Sequence, residues 1–225
     1  MSVHLTGRPP ARRGSDCVCL LRSASVSSRH ESLVFDVIPD GCERAADIGC
    51  GNGELTRELH RRGIPEIVGL DRDEPCVQRC RSHPDAADIR YVVGDLHHTD
   101  LAPKGFDLVS AVAALHHMDA REGLLRLRSL VSPGGVLVVV GLARPDLPED
   151  LPIEVAAQIT ALFRSRTAEP AGDPPAPIVW PPPARYSTMR RLARELLPGV
   201  RWRRHLMWRY SLVWRNSREP ESPDI

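Results

Sequence analysis

The chain has 225 residues, 30 basic and 29 acidic side chains, a formal charge of +1 and 42% hydrophobic residues. That length fits one domain with a sizeable core, and the near-neutral total gives none of the polyelectrolyte character that drives non-specific nucleic-acid binding. The six cysteines, Cys17, Cys19, Cys42, Cys50, Cys76 and Cys80, match neither a disulfide framework nor zinc-finger spacing, so free thiols and no metal are expected.

Residues 1–28 are rich in Ser, Arg and Pro without sustained periodicity, which predicts a mobile extension. Their one apolar run, Cys17 to Leu21, is too short for a signal segment or a membrane span, so a cytoplasmic chain without membrane contact is expected. From Arg29 the apolar positions Leu33, Val34, Val37 and Ile38 recur at helical spacing, and Pro39-Asp40-Gly41 ends that helix.

A strand over 44–48 then runs into Asp47-Ile48-Gly49-Cys50-Gly51-Asn52-Gly53. Glycine accepts positive φ and lacks a Cβ, so this turn can bend sharply and let a ligand lie against the backbone. A dinucleotide loop would space its glycines G-x-G-x-x-G; here they alternate, and Asp47 precedes them. An aspartate at a strand end repels phosphate but attracts an ammonium, such as the amino-acid end of a sulfonium cofactor.

Strands follow near 66–70, 89–93, 106–112 and 135–141, with helices near 53–62, 75–82 and 119–131 between them. Alternation of this kind predicts an α/β, Rossmann-like doubly wound sheet. The second strand ends at Asp71, about 20 residues past the loop, where a doubly wound fold holds a ribose by its hydroxyls. Pro133-Gly134-Gly135 is expected to turn into the fifth strand, whose run Val136 to Val140 is apolar throughout, as a strand covered on both faces should be.

Over residues 143–184, Ile153, Ala156, Ile159, Leu162 and Phe163 predict an amphipathic helix, and a proline-rich stretch from Pro170 to Pro183 follows. This insertion reads either as a lid over a substrate pocket or as a plain connector. Met189, Leu192 and Leu196 then share a helical face, and two alternating runs ending at Trp214 predict an antiparallel hairpin. Residues 185–218 hold ten arginines against one glutamate, Glu195. A nucleic-acid surface must therefore be weighed. Against it, only Lys104 among the basic residues is lysine, which suggests codon bias, and in a sheet the aromatics can pack inwards while the arginines stay solvated.

Five blocks, DIGCGNGEL at 47–55, GLDRD at 69–73, YVVGD at 91–95, FDLVSAVAALHHM at 106–118 and SPGGVLVVVGL at 132–142, together resemble the class I S-adenosylmethionine-dependent methyltransferases, specifically the small type 11/25 group. The resemblance covers roughly residues 30–216. It implies a single domain over 29–216, a seven-stranded sheet with a C-terminal antiparallel hairpin, and a tail over 217–225. The implied cofactor is S-adenosylmethionine, with S-adenosylhomocysteine as product. It would be held by Asp47, Gly49, Cys50, Gly51, Asn52, Gly53, Asp71, Arg72, Gly94, Asp95, Leu96, Ala111 and Val112. His116 is the candidate general base or pocket wall, and His30, His117 and Tyr186 are candidate substrate contacts. The alternative for His117 is a cap on the helix that starts near Asp119.

The fourth block lacks an Asn/Asp-Pro-Pro-aromatic run, which disfavours planar amide or base nitrogens as acceptors. Asp95, Asp107 and Asp119 do not form a recognisable divalent-ion set. The expected activity is metal-free, in-line methyl transfer to a small molecule. Its rivals are cofactor binding without transfer, and RNA methylation by way of the arginine-rich segment.

Overall fold

The computed structural model describes residues 32–146, 150, 181–205 and 208–217. The expected mobile extension, His30, Cys17 and Cys19, nearly all of the expected lid, and the tail beyond 217 lie outside the described residues. Eleven principal elements follow in the order β1 (Arg44–Ile48), α1 (Glu54–Arg61), β2 (Glu66–Asp71), α2 (Glu74–Arg81), β3 (Ile89–Val93), β4 (Phe106–Val112), α3 (Ala120–Leu130), β5 (Val131–Leu142), α4 (Tyr186–Leu196), β6 (Arg201–Arg204) and β7 (Arg209–Arg215). The seven strands form one sheet in the order β3-β2-β1-β4-β5-β7-β6. Strands β1 to β5 are parallel, and β7 runs antiparallel to both β5 and β6. The expected doubly wound sheet with a C-terminal hairpin is the observed one.

Local chemistry sets the helix starts. Asp73 caps α2 by accepting from Cys76 N at 3.2 Å, with Pro75 in the first turn, where its missing N–H costs nothing. Asp119 caps α3 by accepting from Arg121 N and Glu122 N, both at 2.9 Å. At the N-terminus a helix spans 32–35 and closes in a turn, with Val37 N donating to Val34 O at 3.3 Å. It ends earlier than expected because Pro39 disfavours helical backbone at Ile38.

The strands alternate between two cores. Ala46, Ile48, Val109, Ala111, Leu137 and Val139 face α3 and α4, which contribute Leu124, Leu127, Leu130, Met189, Ala193 and Leu196. Ala45, Ile67, Leu108, Val136 and Val138 face α1 and α2, together with Val34, Leu55, Leu59, Val77 and Cys80. Each fully buried leucine contributes about 1.5–3 kcal/mol by leaving water. Strand β5 begins at Val131, earlier than the sequence suggests: Phe106 pairs with Val131 but Leu108 with Val136, so Ser132 to Gly135 form an irregularity inside the strand. Gly134 takes φ 86° there, which only glycine adopts freely.

The hairpin sorts its side chains as alternation requires. Trp202 stacks on Tyr210 with centroids 4.5 Å apart, on the α3/α4 face, while Arg201 and Arg203 are exposed. Arg209 departs from this pattern, being 8% exposed.

Candidate functional site

The carboxyl ends of β1, β2 and β4 lie side by side at one edge of the sheet. Asp47 and Ser110 are in register on neighbouring strands, both buried, and Ser110 Oγ donates to Asp47 Oδ1 at 2.8 Å. A buried carboxylate needs such donors, since leaving it unsatisfied costs several kcal/mol. Asp71 ends β2. Its Oδ2 accepts from Gly51 N at 2.8 Å and its Oδ1 from Asp73 N at 2.9 Å, so this carboxylate ties the glycine loop to β2. The loop is further fixed by Gly49 N and Cys50 N, which both donate to Leu70 O.

The three loop glycines are required for different reasons. Gly49, Gly51 and Gly53 all have φ between 54° and 76°. A Cβ on Gly49 would lie 2.5 Å from Ala114 Cβ, and one on Gly53 would lie 2.6 Å from Tyr91 Oη and 2.9 Å from Cys80 Sγ. A Cβ on Gly51 would meet nothing within 4 Å. Gly51 thus borders open space, flanked by the Asp71 carboxylate. The shape and the acceptor chemistry both suit a hydroxyl-bearing ribose.

The remaining candidates fall around these strand ends in different ways. Asn52 O accepts from Arg57 Nη1 and its Oδ1 from Arg79 Nη2. Gly94 N donates to Asp71 O at 2.8 Å, and Thr99 Oγ1 would lie 2.3 Å from a Cβ there. Asp95 Oδ1 accepts from His97 N at 2.8 Å, and Arg72 Nε stands 3.4 Å from its Oδ2. The His97 N–H, followed by the Arg72 charge, holds the Asp95 carboxyl below the usual carboxylate range. Leu96 is buried and its carbonyl accepts from Arg126 Nε at 3.3 Å. Ala111 is buried, Val112 is half-buried, and both lie at the end of β4. Cys50 faces the α1/α2 core, in the same apolar cluster as Cys80.

Beyond β4 the chain turns at Ala113, a non-glycine residue at φ 56° whose N–H donates to Val140 O at 2.7 Å. Such strained positions concentrate at functional sites. The turn leads into Leu115–His117, where the ring of buried His116 lies 4.1 Å from that of exposed His117, tilted by 38°. The cap on α3 is the Asp119 carboxylate rather than His117, as a charged acceptor satisfies two N–H groups at once.

His116 lines a cavity of about 410 Å³ together with Leu115, Met118, Asp119, Leu142, Arg144, Arg185, Thr188, Met189 and Tyr210. That volume is within the range of small-molecule sites. Its far wall is held by a short parallel bridge between Arg144 and Arg185, in which Arg144 N donates to Ala184 O and Tyr186 N donates to Arg144 O. Tyr186 itself is buried behind this wall, its hydroxyl donating to Arg209 O at 3.4 Å and its ring under the Arg204 guanidinium. Arg144, Arg185 and Thr188 escaped sequence reasoning. Arginine abundance hid the first two, and only folding brings the three to His116. A second cavity, of about 260 Å³ and lined by Arg44, Glu66 and Phe106, lies at the opposite end of the strands.

Among the described residues no three His, Cys, Asp or Glu side chains converge to hold a metal ion. The four described cysteines are free thiols. No described helix is long and apolar enough to cross a membrane.

Comparison with known proteins agrees with this geometry. Residues 46–139 match the family model described as a methyltransferase domain. An uncharacterized methyltransferase of Mycobacterium tuberculosis (strain ATCC 25618 / H37Rv) is 36% identical over 178 residues, which cover 79% of this chain and 89% of the relative. A sterol 24-C-methyltransferase of Candida albicans is 30% identical over 143 residues, covering 57% of this chain and 38% of that protein. Among solved structures, the PH0226 protein of Pyrococcus horikoshii OT3 superposes with a TM-score of 0.62 at 19% identity, over 88% of this chain and 93% of that one. The chain therefore belongs to the class I S-adenosylmethionine-dependent methyltransferases.

Proposed function

We propose that this methyltransferase binds S-adenosylmethionine along the ends of β1 and β2 and transfers its methyl group to a small molecule held in the cavity beyond His116. One observation carries the reading: Gly49 of the loop packs against Ala114, and the next two residues, Leu115 and His116, line the cavity. Cofactor cleft and cavity thus share one wall. When bound, the cofactor supplies a methyl group already activated on a sulfonium, so the residues need mainly to align an acceptor with it. Asp71 and the open backbone at Gly51 hold the ribose end, and buried Asp47 contributes negative potential for the ammonium end. His116 shapes the wall, and accepts a proton only if the acceptor is a hydroxyl or a protonated amine.

The likeness to a sterol 24-C-methyltransferase supports a small-molecule acceptor. The arginines give less support to RNA. Among the described residues, Arg190, Arg191 and Arg194 project from α4, which packs on one sheet face. Arg201 and Arg203 alternate with Trp202 and point to the other, so they form no single stripe.

The first test is thermal denaturation with S-adenosylhomocysteine. At a hundredfold excess over the dissociation constant the protein gains about 2.7 kcal/mol, and no shift would sink the cofactor assignment. The second is a screen of small metabolites with methyl-labelled cofactor, followed by His116→Ala on the acceptor found. Lost turnover with cofactor binding retained would support a role for His116 at the acceptor, whereas full activity at every pH would leave it as wall alone.

A further inference from the structure

The far wall of the His116 cavity carries positive charge that the protein does not neutralise. Arg144 stands two residues beyond β5, at the carboxyl ends of the parallel strands where α/β sheets take their ligands, and Arg185 directly precedes α4. Backbone bonds hold the two together: Arg144 N donates to Ala184 O at 2.8 Å and Tyr186 N to Arg144 O at 3.0 Å. Arg144 Nη2 donates to Pro183 O at 2.9 Å, while its buried Nε has no hydrogen-bond partner among the described residues. Among the described residues neither guanidinium has a carboxylate within ion-pair distance, whereas Arg121 on the same cavity is paired with Glu195 at 2.7 Å. The acid on the cavity, Asp119, gives one oxygen to two N–H groups of α3. We propose that Arg144 and Arg185 form an anion seat, and that the methyl acceptor is an organic acid whose carboxylate or phosphate sits there while its apolar body lies along Leu115, Met118, Leu142 and Met189. The second half of this statement rests on the acceptor reading above.

The chemistry of the wall selects the ligand. A guanidinium is planar, permanently charged and weakly hydrated, and it matches the oxygens of a carboxylate or phosphate with paired N–H groups. Placing such a group partly out of water without a counter-charge is costly, and a bound anion relieves that cost. Codon bias can put arginines on a surface, but it does not account for two that a backbone bridge fixes side by side on a cavity of about 410 Å³. Thr188, half-buried in the first turn of α4, adds a hydroxyl to the same lining. A ligand with one charged end and an apolar body can lie in this cavity in only one direction. Its acid group then marks the end away from the reaction, and the atom that accepts the methyl group is the one brought to the wall of Leu115 and His116. Anchoring a remote group in this way supplies orientation to the reacting one.

The test uses the full chain and three probes of one length, hexanoate, hexyl phosphate and hexanol, titrated by calorimetry with and without S-adenosylhomocysteine. We expect at least one of the two anions to bind about tenfold more tightly than hexanol, and which of them does so distinguishes carboxylate from phosphate. Arg144→Gln and Arg185→Gln should each remove that preference, Arg185→Lys should retain part of it, and Arg190→Gln, at an exposed position of α4, should leave it unchanged; two positions guard against one variant that fails to fold. A wild-type protein without the preference, or a preference that survives both glutamine variants, would overturn the seat. The second half is read on the acceptor found with methyl-labelled cofactor: Arg185→Gln should raise its KM by about tenfold with kcat little altered, and the tighter anion should compete with it. A neutral acceptor, a methyl ester as product, or an unchanged KM would overturn that half. Probes that bind the seat without competing with the acceptor would overturn the acceptor reading of the cavity and leave the seat standing.

Discussion

Replacing Asp71 with Ala removes two acceptors at once, and the structure makes its cost divisible. The carboxylate receives Gly51 N at 2.8 Å and Asp73 N at 2.9 Å, both charge-assisted bonds. Bonds to charged groups contribute roughly 1.5–3 kcal/mol each, but Asp71 is half-buried and water can reach the freed N–H groups. A net loss of about 1–3 kcal/mol in the ligand-free protein is therefore expected by urea denaturation. In the proposed site the same carboxylate takes the ribose, so affinity for S-adenosylhomocysteine should also fall by about tenfold to a hundredfold in calorimetry. Asp71→Asn, which keeps one oxygen, should fall between wild type and Ala in both measurements. Unchanged ligand affinity in Asp71→Ala would refute the ribose role, and unchanged stability would refute the tie between loop and strand.

Gly51→Ala meets open space, so it should cost only the positive-φ penalty of about 1–2 kcal/mol while placing a methyl group in the proposed cofactor site. Gly49→Ala adds a 2.5 Å approach to Ala114, and its unfolding free energy from urea denaturation should fall further, by about 1–3 kcal/mol of overpacking. Tyr91→Phe removes the buried 2.7 Å bond between its hydroxyl and Thr56, which still donates to Gly53 O, so a loss of about 1 kcal/mol is expected. Asp95 is held below the usual carboxylate range by the His97 N–H and then by Arg72. A depressed folded value means its contribution is complete above the ordinary carboxylate pKa and fades as pH falls through the folded one. Asp95→Asn should therefore flatten the stability profile below about pH 4, and an unaltered profile would contradict that assignment.

The parallel half of the sheet was legible because its strands carry uninterrupted apolar runs and its loop has a spacing with few alternatives. Asp71 was placed by its distance from that loop. Its bond to Gly51 was not, since a hydrogen bond to backbone N–H leaves no mark on residue type. The Asp47–Ser110 pair depends on register between strands 63 residues apart, and Ala113 is an ordinary residue whose significance is its φ. The early start of β5 stayed hidden because Ser132 to Gly135 read as a turn, whereas the irregularity that contains them lies inside the ladder. The cavity was the least visible part. Arg144, Thr188 and His116 come from three segments, and local periodicity carries no information about their meeting.

The bridge between Arg144 and Arg185 decouples the sheet from the length of chain between them. It pins together the two points where the chain leaves and rejoins the cavity wall, so the intervening stretch is closed by a fixed stem. The entropy of such a closure grows only logarithmically, about 0.6 kcal/mol for each doubling of loop length. Residues can therefore be gained or lost between positions 151 and 180 at little entropic cost, whereas Asp150 is tied to Arg204 of β6 by an ion pair. Chimeras cut at residues 150 and 181 would keep both the stem and the Asp150–Arg204 pair while exchanging what lies between.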